Sequence, residues 1–330
     1  MRYDHLLSLT DGRGVFEHCA GRIPRVEHGY CVDDVARAWI VAERGLDEDP
    51  DLEFVADTCA RFTAEATSGD GTIRNRCDVE GVWHGPADTA DHWGRALWAW
   101  GTIIAESSDP IRRESAERGW QLAARQRSEY LRSMAFASLG AGEVLRARPH
   151  DSLALALLAD TAMMIPRDET PHWPWPEPRL SYANAVIPHA LLMAGHHLDD
   201  RNLVQRGLSQ LHWLVSVQRR GEHLSIVPNT GWSPPDLLPD FDQQPIEVST
   251  LVEAALFAHH VTGDPTWHDV LSTGVTWFLG DNDSGIAMAD PIDGAGFDGL
   301  TWTGRNSNAG AESTLAYLSV MQRARRFLRS

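Results

Sequence analysis

Cysteine is scarce in this 330-residue chain, and the little there is carries no metal-binding rhythm. Cys19, Cys31, Cys59 and Cys77 all fall in the first quarter without a C-x-x-C spacing. That speaks against a zinc site or any other metal centre, and against a disulfide framework. Positive charge is also short: 29 Lys and Arg stand against 46 Asp and Glu, a formal net charge of −17. A nucleic-acid partner needs clustered cations to displace counterions from phosphates, and an anionic membrane surface needs them too. Neither is expected here. No apolar run approaches a membrane span, and residues 1–10 lack the basic-then-apolar pattern of a signal peptide, so a cytoplasmic location is the expectation. G-x-S-x-G and P-loop patterns are missing, and Gly12-Arg13-Gly14 follows no strand-like segment. No nucleotide or other cofactor is expected.

What the chain does contain is an ordinary globular balance, 43% hydrophobic and 23% charged, with enough apolar material for a large core. Its aromatic balance is less ordinary, with 13 Trp against 9 Phe and 5 Tyr. Indole offers a flat apolar face and one N–H, which suits stacking on sugar rings as well as filling a core.

Helical periodicity dominates. It predicts helices over 33–44, 51–67, 90–105, 110–127, 130–147, 150–164, 182–197, 200–219, 245–262, 264–279 and 309–328, with 3–9 as a short twelfth closing against the last. The turn-rich stretch 68–89 has room for one hairpin of strands. Long loops precede the helices near 33, 90, 182, 245 and 309, whereas connections within hairpins are short. Six helical hairpins with long loops at one end describe an (α/α)6 toroid, expected to occupy 1–330 as one domain. A helical solenoid is the alternative, but no repeated motif supports it.

Polar and aromatic residues gather at the starts of the inner helices. The first group is His28, Tyr30, Asp33, Asp34 and Arg37; the second is Trp83, His84, Asp91, His92, Trp93 and Arg95. Tyr182 and Asn184, then Gln244 and Glu247, then Asp298, Trp302, Asn306, Asn308 and Glu312 continue the pattern. In isolation Asp33 would cap its helix and Asp34 would complement the dipole. Five such starts in register, each followed by an apolar helix, instead suggest groups converging on one cavity. Adjacent carboxylates raise one another's pKa, which suits proton transfer. Amides and acids bind hydroxyls, and indoles cover the apolar faces of sugars. His84 and His92 lack the i, i+4 spacing of a helical metal pair.

The segments Asp11-Gly12-Arg13-Gly14-Val15-Phe16-Glu17-His18 and His28-Gly29-Tyr30-Cys31-Val32-Asp33-Asp34 resemble a bacterial family of sugar-active α/α-toroid proteins. So do Asp91-His92-Trp93-Gly94-Arg95, Tyr182-Ala183-Asn184, Gln244-Pro245-Ile246-Glu247 and Asn306-Ser307-Asn308-Ala309-Gly310-Ala311-Glu312. Members occur free-standing or fused behind glycosyltransferase domains. The resemblance spans most of the chain and implies a carbohydrate ligand and, as a partner, a glycosyltransferase. More distantly, the paired Asp before an inner helix resembles bacterial α-mannanases of the six-hairpin glycosidase superfamily, in which such a pair is catalytic.

The residues and the resemblance together lead to a glycoside hydrolase with its carboxylates among Asp33, Asp34, Asp91, Glu247 and Glu312: Asp33 and Asp34 as the central pair, and Glu247 or Glu312 as the partner if one Asp is only structural. Arg37 and Arg95 would fix carboxylates or hydroxyls, and Trp83, Trp93 and Trp302 would stack on sugar. Two alternatives stay open: a sugar epimerase or isomerase shuttling protons on His84, His92 and His189, and a non-catalytic glycan-binding partner of a glycosyltransferase.

Overall fold

The computed structural model describes residues 1–167 and 169–329. Among them lie twelve helices: α1 (Asp4–Leu9), α2 (Val32–Gly45), α3 (Leu52–Ala66), α4 (Asp91–Glu106), α5 (Pro110–Ala123), α6 (Leu131–Ala147), α7 (Ser152–Met164), α8 (Val186–His197), α9 (Arg201–Val217), α10 (Pro245–Thr262), α11 (Trp267–Leu279) and α12 (Ala311–Arg329). The even-numbered helices touch in sequence from α2 to α12, and α12 returns to α2, so six inner helices close a ring. Helices α3, α5, α7, α9 and α11 each lie outside their hairpin partner, and the short α1 backs α12. This is the (α/α)6 toroid, with α1 in the twelfth place.

Burial separates the two rings. Inner helix α4 buries thirteen residues, among them Trp93, Leu97, Trp100 and Ile104, whereas outer helix α5 buries four. An all-round apolar helix can only sit between two layers, and a one-striped helix only outside them. Glycine sets the closest inner contact. A Cβ on Gly101 of α4 would run into the Gly140 carbonyl of α6, and one on Gly140 would run into the Leu97 carbonyl.

The helix starts differ in a way that positions the site. Three outer helices, α5, α7 and α9, open at short turns on aspartate caps: Asp109 accepts from the Ile111 N–H (2.7 Å), Asp151 from Ala154 (3.0 Å) and Asp200 from Asn202 (2.8 Å). Inner helices α2, α4, α6, α8 and α10 have no side-chain cap. Their amino-terminal ends share one end of the ring, and the positive ends of their dipoles favour negative charge there.

Short antiparallel strands stiffen the loops at that end. Tyr30–Cys31 and Trp83–His84 flank Arg76–Cys77 in a three-stranded sheet, with Cys31 opposite Arg76 and Cys77 opposite Trp83. The sheet ties the entry of α2 to the loop before α4, one strand more than the hairpin expected within 68–89. Helix α8 begins four residues later than the periodicity predicts. Ala183 has a positive φ of 45°, so the chain turns at Tyr182–Asn184 before the helix opens. Among the described residues no helix is long and apolar enough to cross a membrane.

Candidate active site

Asp33 and Asp34 occupy the first turn of α2, yet neither side chain caps it. The Val32 N–H is taken by Asn75 Oδ1 (3.0 Å), and Asn75 Nδ2 donates to Asp33 Oδ2 (2.9 Å). The paired carboxylates are thereby free to face the ring's interior. They line a cavity of about 420 Å³ at the amino-terminal end of the inner helices. Its carboxylates are Glu17, Asp33, Asp34, Asp91, Asp298 and Glu312, and its cations are Arg37 and Arg95, with His18 beside them.

Arg37, one turn into α2, joins two of these acids. Its Nη2 donates to Asp34 Oδ1 (2.6 Å), and its Nη1 donates to Glu312 Oε2 (2.8 Å) at the start of α12. The two carboxyl groups respond in opposite directions. Asp34 is 2% exposed, and its burial pushes its pKa up to about 6 despite Arg37. The Cys31 thiol donates to its other oxygen (3.2 Å). Burial also acts on Glu312, but Arg37 and then Arg95 outweigh it and hold the group below the usual carboxylate range. The Glu312 side chain is 43% exposed and reaches into the cavity.

Arg95 and Asp91 sit one turn apart on α4 and are the least satisfied pair in the cavity. Arg95 is 3% exposed, and its Nε and Nη1 make no hydrogen bond. Its Nε lies 3.3 Å from Asp33 Oδ1, and its guanidinium carbon is 4.1 Å from the centre of the Phe136 ring. Asp91 accepts no side-chain or backbone hydrogen bond among the described residues, and burial raises its pKa although Arg95 opposes the shift. A carboxyl group whose proton affinity is raised and whose oxygens bond nothing else is suited to donate a proton.

The other expected site residues divide between support and elsewhere. Tyr182 and Gln244 line the cavity. Glu247 does not; it is buried behind it and accepts from the Ala183 and Asn184 N–H groups and from Asn184 Nδ2 (3.1 Å). Burial pushes its pKa up to about 7 against those bonds. Glu247 and Asn184 together hold the turn that presents Tyr182. Tyr30 is buried and donates to Asp11 (2.6 Å), supporting the loop before α2. His28 is exposed and meets His18 edge-on. Asn308 Oδ1 accepts from the Gly21 N–H (2.9 Å), and Asn306 Oδ1 from the Asn308 N–H (2.9 Å), so both shape loops.

None of the three tryptophans expected to stack on sugar lines the cavity. Trp93 is wholly buried in the core, Trp83 packs on Phe62, and Trp302 is 80% exposed on an outer hairpin. The histidines behave alike. His84 pairs with Asp78 (2.7 Å), His92 bonds the Ile73 carbonyl (2.8 Å), and His189 packs on Phe257.

The structure adds Glu17, His18 and Cys31, and brings Asp298 to the same cavity. Glu17 takes Arg76, and Asp298 accepts from the Gly310 N–H (2.7 Å). Glu17 and His18 arrive on an irregular loop, where no periodicity flags them; their place in the first resembling segment was the only signal. Glu17, Cys31 and Asp34 each offer a ligand atom within 4.8 Å of the others, a spacing that could hold a metal ion. In the structure these atoms are engaged by Arg76, Arg37 and one another, and burial pushes the Cys31 thiol up, which disfavours the thiolate a metal would need.

No protein-family model matches the sequence, and no curated protein matches it. Solved structures do match in shape. A sugar epimerase from a ruminal bacterium aligns at a TM-score of 0.72 and 11% identity over 96% of this chain and 94% of that one. The cellobiose 2-epimerase of Spirochaeta thermophila aligns at 0.67 and 12%, over 98% and 93%. The cellulase Cel9M of C. cellulolyticum aligns at 0.60 and 9%, over 96% and 88%. At such identities the likeness is one of fold: the chain shares its α/α toroid with structures of sugar epimerases and of glycoside hydrolases.

Proposed function

We propose that the protein is a glycoside hydrolase in which Asp91 is the general acid and Glu312 the base or nucleophile. The observation that carries this reading is that two carboxyl groups of one cavity are driven apart, Asp91 upward by burial and Glu312 downward by two arginines. That division is what glycosidic cleavage requires. Asp91 gives its proton to the glycosidic oxygen as the bond from that oxygen to the anomeric carbon breaks. A water oxygen ends on the anomeric carbon, and its proton returns to the carboxylate pair. Glu312 acts on the water or on the carbon itself. Asp34 and Arg37 hold Glu312 in place, while Asp33 and Arg95 are set to grip hydroxyls of the sugar.

The toroid is equally the fold of the epimerases above, but the cavity's composition favours hydrolysis. Its lining contains one histidine, His18, beside six carboxylates. Of the histidines first considered as shuttles, His84 and His189 are held elsewhere, and His92, which lines the adjoining cavity, has its Nε2 engaged by the Ile73 carbonyl (2.8 Å).

The test is turnover of mannose- and glucose-based oligosaccharides and of their nitrophenyl glycosides. Asp91→Asn should lower oligosaccharide cleavage by about 10²–10⁴-fold and spare nitrophenyl glycosides, whose leaving group needs no proton. Glu312→Gln should abolish both. Wild-type rates of oligosaccharide cleavage in either variant would refute the assignment.

A further inference from the structure

The catalytic cavity does not end at α4. A second cavity of about 520 Å³ opens on the other side of Asp33, Asp91 and Tyr182, which line both. Its far wall belongs to the start of α6 and to the loop before α8, two segments with no role in the chemistry described above. Tyr130, at the cap position of α6, lines it with a side chain that is 52% exposed. Arg132 and Glu177 form the wall behind it through a two-point ion pair (Nη1–Oε1 2.6 Å, Nη2–Oε2 2.8 Å). Arg132 Nε also donates to the Tyr182 carbonyl (2.5 Å), and its guanidinium lies 5.2 Å from the Tyr182 ring centre.

This is a built wall, not a loose surface cleft. A fork-on-fork guanidinium–carboxylate pair fixes both partners in one plane. The same Arg132 pins Tyr182 from one side, and Glu247 pins its turn from the other through the Ala183 and Asn184 amides. The shared edge between the two cavities is therefore rigid and carries Asp91, a carboxyl group with no other partner. An enzyme that acts on one sugar ring needs a single pocket. One that cleaves between two rings needs room on both sides of its acid.

We infer that the second cavity is the subsite for the leaving sugar, so that the bond to be broken spans Asp91 and the smallest good substrate is a disaccharide. The inference rests on the hydrolase reading for its direction: the ring attacked lies beside Glu312, and the ring released lies against Tyr130 and the Arg132–Glu177 pair. An exposed tyrosine supplies the apolar face for that ring, and the ion pair offers edges to its hydroxyls. Truncating a stacking aromatic at such a position should weaken binding by roughly 2–13-fold, the equivalent of about 0.5–1.5 kcal/mol.

Titration calorimetry with mannose and glucose, and with their disaccharides and tetrasaccharides, tests this directly on wild type, Tyr130→Ala and Tyr130→Phe. The expected result is affinity that rises from monosaccharide to disaccharide in wild type. Tyr130→Ala should lose most of that rise while monosaccharide binding stays, and Tyr130→Phe should restore it. A length dependence unchanged in Tyr130→Ala would overturn the subsite, as would equal weakening of every ligand. Cleavage is read separately on the same samples. Length-dependent binding without cleavage would sink the hydrolase reading and leave the second subsite standing. Cleavage indifferent to Tyr130 would do the reverse.

Discussion

Asp34 offers the sharpest physical prediction, because its charge is kept at a cost. Burial raises its pKa from 3.8 to about 6 even with Arg37 attached. Between those values the folded protein holds more protons than the unfolded chain. The stability supplied by neutral Asp34 is therefore complete below pH 3.8 and lost as pH rises through about 6. A shift of this size corresponds to about 3 kcal/mol of lost stability once the group is ionised. Asp34→Asn keeps the shape, can still accept from Arg37 and never ionises. It should match wild type near pH 4 and exceed it by about 3 kcal/mol at pH 8. Urea unfolding followed by tryptophan fluorescence at both pH values measures the difference. Turnover should fall in the same variant, since Arg37 and Glu312 lose their charged anchor. An asparagine variant less stable than wild type at pH 8, or a difference independent of pH, would refute the reasoning.

Two further predictions concern the frame beneath the site. Arg323 donates to Glu253 at 2.8 and 2.9 Å from Nε, deep between α10 and α12, and the pair holds Glu253 down to about 2 against its burial. Arg323→Met should cost about 3–5 kcal/mol at neutral pH. The gap to wild type should narrow as pH falls from 4.5 toward 2, where Glu253 takes up its proton; denaturant midpoints across that range report it. Gly101→Ala should lower the melting temperature in calorimetry, because the added methyl meets the Gly140 carbonyl and overpacking costs about 1–3 kcal/mol.

The ring was legible from the sequence because it rests on one strong signal. Helices of period 3.6 joined alternately by short turns and long loops leave few other closures, and even the short segment at Asp4–Leu9 fell into place behind α12. The helix starts were harder to read. Tyr182–Asn184 carry helical neighbours, and only the Glu247 carboxylate, more than sixty residues away, shows why they turn instead. The polar starts do converge: Asp33, Asp34, Arg37, Asp91, Arg95, Tyr182, Gln244 and Glu312 meet at one cavity. The tryptophans expected to stack on sugar do not line this cavity, since indole serves a core as well as a sugar. Trp39, Trp93, Trp100, Trp120 and Trp277 are all buried, and the aromatics beside the acids are tyrosines. Glu17 comes from a loop with no periodicity, so tertiary closure alone brings it in.

A glycoside hydrolase adds water across a glycosidic bond. Incubating wild-type protein with mannose- and glucose-based oligosaccharides in ¹⁸O-water, and reading the products by mass spectrometry, tests it most directly. Hydrolysis predicts shorter chains, each cleavage placing one ¹⁸O on the anomeric carbon of the ring held beside Glu312, with no label in the chains left intact. Sugars of unchanged length that take up solvent deuterium at carbon in a parallel D₂O incubation would contradict it, and would make the protein an epimerase instead.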